Sequence, residues 1–373
     1  MAQKLAAEHG VIHSLPNDFF GYFGWPSVAR MDDGTLVGVA SGLRHAHVCP
    51  FGRTTLAVSR DGATWSSPRV VNDFPIDDRD AGVVSLGGNE LLVSWFTSDT
   101  RKYYSEERLA QLDPMDRAHF ERGLAWQTEE NIARWLGSWV RVSRDGGELW
   151  DDPVRVSVTA PHGPIRLRDG ALLYLGKVFG GNMREFTEGV GGVMAMRSDD
   201  RGASWRKLGN VPIYPGTSVA NYHEPHVVEL PSGKLIGAIR IQSYGEDADI
   251  EKVGLVNFGI AMTESTDGGA TWTQANPLNF HGSPPHLLRH SSGTLVMVYG
   301  YRLEPYGQRA ALSRDEGETW QHDFIIRDDG PDGDLGYPAS VEMPDGGILT
   351  VYYQKPHGTQ DKCAFLWSQW RLP

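Results

Sequence analysis

The sequence predicts an all-β fold, a six-bladed β-propeller with a small helical insertion in its second blade. Three observations carry this reading. A phrase built on Ser, Asp, Gly and Trp returns five times, six further segments read as hairpins, and the 44 glycines and 12 tryptophans of the 373 residues fall largely within these repeats.

The phrase reads SRDGATW from Ser59, SRDGGELW from Ser143, SDDRGASW from Ser198, STDGGATW from Ser265 and SRDEGETW from Ser313. It describes a tight turn: Asp accepts backbone hydrogen bonds, Gly supplies the permissive dihedral angles and Trp packs beneath. The hairpins begin WPSVARMDDGTLVGVAS at Trp25, DAGVVSLGGNELLVSWF at Asp80 and GPIRLRDGALLYLGKV at Gly163. The remaining three are EPHVVELPSGKLIGAIR at Glu224, PPHLLRHSSGTLVMVYG at Pro284 and YPASVEMPDGGILTVYY at Tyr337. Their β-branched and aromatic residues flank central turns rich in Gly, Asp and Ser, which favours antiparallel strands. A β-sandwich is the alternative, but sandwiches do not repeat one phrase along the chain.

Residues 101–139 break the pattern. Leu109, Leu112, Phe120, Leu124, Ile132, Trp135 and Leu136 are spaced for one or two helices among many charges. This insertion reads as a packed excursion, a lid or a contact for a homo-oligomer, within one propeller spanning residues 1–373.

Composition excludes several functions. The formal net charge of −12 and an isoelectric point near 5.5 disfavour a nucleic-acid partner. No apolar run approaches the ~20 residues that span a bilayer, so no membrane partner is expected. Cys49 and Cys363 alone cannot form a disulfide framework, and the opening residues lack a signal-peptide stretch, so a cytoplasmic location is the expectation. There is no Gly-rich phosphate loop, no zinc-ligand spacing beyond the alternating His45, His47 and Cys49, and no G-x-S-x-G phrase. Neither a cofactor nor a metal is expected.

Aligning the hairpins on their turns puts Trp25, Asp80, Glu224, Pro284 and Tyr337 at equivalent positions ahead of the innermost strands. His162 or Gly163 takes that place in the shorter third hairpin. Equivalent positions of a closed ring face one another, so Asp80, Glu224 and Tyr337 should meet at one mouth of the channel as acid, base or nucleophile.

The repeated S-x-D-x-G-x-T-W phrase resembles the Asp-box of the sialidase (neuraminidase) superfamily, whose members are six-bladed propellers. The resemblance covers the chain apart from the insertion. It implies that Asp61, Asp145, Asp200, Asp267 and Asp315 are structural and lie away from the active site. HEPHVVELPSGKLIGAIR is similar to the stretch in which a Glu heads one strand and an Arg closes the next. That implies Glu224 as activator of the nucleophile and Arg240 as one of the arginines holding a substrate carboxylate. YGQRAALSRDEGETW implies Arg309 as another, with Arg302 as the weaker candidate, and GYPASVEMPDGGILTVYY implies Tyr337 as nucleophile.

Two positions depart from the family. Phe23-Gly24-Trp25-Pro26 stands where the family carries an Arg, and SGLRHAHVCPFGR lacks the loop carboxylate that serves as acid/base. Either Arg44 or Arg79 then reaches in from elsewhere, or the substrate is not sialic acid. The acid is sought among His45, His47, Asp78 and Asp80, with Asp80 preferred because its register points it at the axis. His223 and His226 flank Glu224, where one of them would orient it.

The implied function is an exo-acting glycoside hydrolase acting on a terminal acidic sugar of a carbohydrate substrate, with retention if Tyr337 is the nucleophile. An inverting pair of Asp80 and Glu224 on another sugar, a histidine-assisted elimination from a uronic acid, and a non-catalytic carbohydrate-binding propeller are the alternatives.

Overall fold

The computed structural model describes residues 2–179, 192–356 and 362–373. Their strands form six twisted antiparallel sheets, with one short parallel pairing at an edge. In the first blade the strands run Tyr22–Arg30, Leu36–Arg44, Arg53–Ser59 and Arg69–Asn72 from the axis outward, and the other blades repeat that order. Neighbouring blades pack through their inner strands from first to second and so on round to sixth against first, with the third blade meeting the fourth through its second strand, Leu172–Val178, which closes the ring.

Closure uses the start of the chain. Ala7–His13 pairs with Ala364–Trp370 and becomes the outermost strand of the sixth blade. This explains why the Asp-box occurs five times and not six. Each box occupies the turn from third to fourth strand, and in the sixth blade that turn does not exist, because the fourth strand comes from the other end of the sequence.

The boxes are built alike. The Ser59, Ser143, Ser198, Ser265 and Ser313 hydroxyls each donate to the Asp two residues on, at 2.7–3.0 Å. Each hydroxyl also accepts a glycine N–H at 2.7–2.9 Å. Backbone N–H donors at Asp61, and the Thr271 and Thr319 hydroxyls followed by backbone N–H donors at Asp267 and Asp315, pull these three carboxylates down to about 2. None of these five carboxylates is placed for chemistry.

The tryptophans explain the repeat energetically. Six apolar clusters occupy the six seams between neighbouring blades. Trp65, Trp150, Trp205, Trp272 and Trp320 pack into five of them, each in the seam with the preceding blade. The sixth seam holds Trp370 instead.

The insertion forms three short helices, Glu106–Leu109, Pro114–Leu124 and Glu129–Trp135, where the sequence pattern suggested one or two. Ser105, Asp113 and Thr128 cap their first turns. Leu109, Phe120 and Tyr104 pack on Cys49 and on Phe19 and Phe51 of the first blade's flanking segments. The insertion is therefore a buttress for the loop of residues 45–52.

Trp272, 6% exposed in its seam, tests the role of the boxes. Trp272→Ala should lower the unfolding free energy by about 3–5 kcal/mol, read from denaturant melts with an unchanged m value. A loss below about 1 kcal/mol would show that the indole does not hold the seam.

Candidate active site

The inner strands share one distortion. Trp25, Asp80, Glu224 and Tyr337 all have left-handed φ, between 48° and 52°, and Gly163 takes 73° at the same place in the third blade. At each of the four side-chain-bearing positions two residues oppose one on the neighbouring strand, as where pairing jumps from His223–Arg240 to His226–Ala238. This is a β-bulge. Left-handed backbone costs a non-glycine residue about 1–2 kcal/mol, and here it turns four side chains toward one mouth. Pro284, with its ring-fixed φ, completes the set in the fifth blade without joining the distortion.

Three of the predicted residues meet directly. The Tyr337 hydroxyl donates to Glu224 Oε1 at 2.5 Å, and Arg240 donates to Glu224 Oε2 at 2.5 Å and to the Tyr337 oxygen at 3.2 Å. Gln242 anchors the other arm of Arg240. Burial and the Glu224 charge push the Tyr337 phenol well above its usual range, while Arg240 opposes them. The phenol is thus neutral at rest, with its proton already aimed at a carboxylate.

Asp80 lines a small cavity with Glu224, Lys177 and His223. Burial first, then the charge of Glu224, push its carboxyl up to about 7, against Arg79, Arg44 and Arg240. A carboxylic acid half-protonated near neutrality can give and take a proton. Asp78, the neighbouring candidate, is enclosed, takes a hydrogen bond from Asn72 at 2.8 Å and does not line this cavity.

Lys177 escaped the sequence reading. It sits in the third blade's second strand, Leu172–Val178, and its Nζ lies 2.9 Å from His223 Nδ1. Burial brings its ammonium down to about 6. Its only signal in the sequence is a lysine inside an otherwise apolar strand.

The first-blade loop divides. His47 Nδ1 lies 2.9 Å from Asp334 Oδ1, and the Tyr22 hydroxyl donates to the same carboxylate at 2.9 Å. His47 also stands edge-on to Trp25, at 4.8 Å between ring centres. His45 turns the other way, onto Phe19 and Phe120 under the insertion. It belongs to that packing and not to the mouth.

The arginines also separate. Arg44 is fully buried, bound to Asp77 at 2.6 Å and to the carbonyls of Asp78 and His47, so it holds the loop and presents nothing to a ligand. Arg79 reaches from the second blade over the Trp25 ring at 4.2 Å, toward the first-blade position where the family's arginine is missing, and donates to the His47 carbonyl. Arg302 donates to the Leu335 carbonyl at 2.7 Å with its guanidinium 5.8 Å from the Tyr337 ring. Arg309 is instead paired with Asp323 at 2.7 Å and lies over Tyr301. His162 likewise does not join Glu224 and Tyr337. It packs below them with His226 and His286.

A model of the BNR repeat-like domain matches residues 123–351. The chain belongs to that family. Among solved structures, a protein of unknown function from Dyadobacter fermentans superposes with a TM-score of 0.74 at 21% identity, over 98% of both chains. Trypanosoma rangeli sialidase gives 0.64 at 16% identity, over 98% of this chain and 59% of that one. The Hadza microbial sialidase Hz136 gives 0.64 at 15%, over 98% and 68%. These place this BNR propeller among sialidase-like folds. The xyloglucanase Xgh74A of Acetivibrio thermocellus is 26% identical over 250 residues, 62% of this chain. The chain spans about a quarter of that relative's length, 26%.

The buried acid has a thermodynamic signature. A folded value near 7 against about 3.9 unfolded means that stability contributed by Asp80 falls as pH rises from about 4 to 7 and stays low above. Asp80→Asn should therefore melt above the wild type near pH 8 and match it near pH 4. Equal melting temperatures at both would show that Asp80 ionises freely.

Proposed function

We propose that this BNR propeller is an exo-acting glycoside hydrolase that removes a terminal acidic sugar, sialic acid or a relative of it, with retention of configuration. The observation that carries the reading is the 2.5 Å hydrogen bond from Tyr337 to Glu224, bridged by Arg240. A phenol that surrenders its proton only as it attacks avoids setting a bare carboxylate against an anionic substrate. In the first step the Tyr337 oxygen bonds the anomeric carbon as its proton passes to Glu224. Asp80 protonates the departing glycosidic oxygen. In the second step Asp80 takes a proton from water, the new C–O bond forms, the bond to Tyr337 breaks and Glu224 returns the proton.

Substrate carboxylate binding falls to Arg240, with Arg302 and Arg79 flanking the aromatic floor of Trp25, Tyr337 and Tyr353. Arg79 stands in for the missing first-blade arginine. A second reading rests on the His47–Asp334 pair, which resembles the orientation of a general base. It favours elimination from a uronic acid, and an unsaturated, ultraviolet-absorbing product would establish it.

A panel of 4-methylumbelliferyl glycosides, the sialoside included, tests the proposal. Release from an acidic sugar is expected, and Tyr337→Phe and Glu224→Gln should each cut turnover by about 10²–10⁴-fold with folding intact. Near-normal rates in either would remove that residue from the mechanism. Arg79→Met should raise KM more than it lowers kcat; an unchanged KM would leave the anionic clamp to Arg240 and Arg302 alone. Wild-type kcat/KM should fall as pH rises through about 7, where Asp80 loses its proton, and a flat profile there would exclude Asp80 as the acid.

A further inference from the structure

Below the catalytic mouth the channel holds a second constellation that the proposed reaction does not use. His226 follows Glu224 by two residues and His286 follows Pro284 by two, so both rings enter the channel one step beneath the mouth positions. They stack at 4.2 Å between centres, and His162 stands edge-on to both, at 5.7 and 5.0 Å. The approach of His162 depends on Gly82, where a side chain's first carbon would lie 2.4 Å from the Gly163 nitrogen.

Hydrogen bonding settles which atoms face the space. The Leu287 N–H donates to His226 Nδ1 at 3.0 Å and the Ser340 N–H to His286 Nδ1 at 3.3 Å. Burial keeps the rings neutral, so each carries its hydrogen on Nε2 and offers a donor. A neutral ring so arranged has no lone pair left for a cation, and among the described residues no group of side chains could hold a metal. His162 is 2% exposed, and both of its ring nitrogens lack a partner among the described residues. Buried polar groups of this kind are seldom left unsatisfied.

The three rings open into a cavity of about 400 Å³ that continues to Arg30, Arg166, Arg168 and Arg289. Glu229 is the acidic residue lining it, and its Oε2 already accepts the Arg168 N–H at 2.7 Å. Donors at one end and four arginines lining the cavity, of which Arg30 and Arg168 also donate to the Glu342 and Pro231 carbonyls, select a negatively charged acceptor over a neutral one.

We infer that the channel beneath the active site binds a small tetrahedral oxyanion, of the phosphate or sulfate class, through His162, His226 and His286 under the field of the lining arginines. The test uses the full chain labelled with ¹⁵N-histidine and titrated with inorganic phosphate at constant ionic strength against sodium chloride. Saturable shifts of the three ring signals are expected, assigned by single substitutions. His162→Asn should weaken binding about tenfold. Arg289→Met, at the outer end of the cavity, keeps the imidazoles in place and should weaken binding severalfold. No shift beyond the chloride control would mean that the channel holds water alone, and the inference fails. Shifts confined to His47 and His223 would place the anion in the catalytic mouth and would equally overturn it.

Discussion

Four side chains reach the mouth of the channel because their backbones enter the left-handed region at one shared place in the blade. The bulge at Trp25, Asp80, Glu224 and Tyr337 is unfavourable for each residue taken singly. It persists because the strands on either side of it are held in register by the rest of each sheet, and the sheets by the seams. Remove the distortion and the pleat would send these side chains into a seam or down the channel. The chemistry of the mouth is thus a consequence of strain that the ring is rigid enough to hold.

That rigidity rests on parts far from the mouth. The Asp-boxes secure the turns between third and fourth strands, and their tryptophans fill the seams. The ring closes by pairing the two ends of the chain in the sixth blade, and the inner edges that remain line the channel. These features were legible in the sequence because each is local: a turn phrase and a hairpin carry their own signals within a few residues. The same alignment of turns brought Glu224 and Tyr337 to one position on different blades, so their meeting needed no distance information.

What stayed hidden depended on partners remote in sequence. Arg44 looks like a ligand-binding arginine until Asp77 closes on it from the second blade. His45 and His47 are two residues apart, yet one packs under the insertion and the other pairs with Asp334, because the insertion claims one side of the loop. Lys177 carries no motif at all. Its meaning arises only when burial, His223 and the two carboxylates surround it. Arg302 and Arg309 could not be ranked from the motif, since an arginine's reach is decided by which carboxylate or carbonyl holds it, here Asp323 for Arg309 and Leu335 for Arg302.

Charge balance ties these observations together. Glu224 is paired with Arg240, while Asp80 has no arginine bound to it; burial first, and then the nearby Glu224 charge, hold the Asp80 proton toward neutrality. A first-blade arginine in place of Trp25 would supply that counter-ion and draw Asp80 back toward the ordinary carboxylate range. Substituting an aromatic ring there leaves Arg79 and Arg44 to act on Asp80 from across the indole, at positions partly spent on Asp77. The departure at Trp25 and the shift at Asp80 therefore act together: burial lifts the carboxyl first, the Glu224 charge adds to it, and an aromatic ring at Trp25 leaves that lift less opposed than an arginine would.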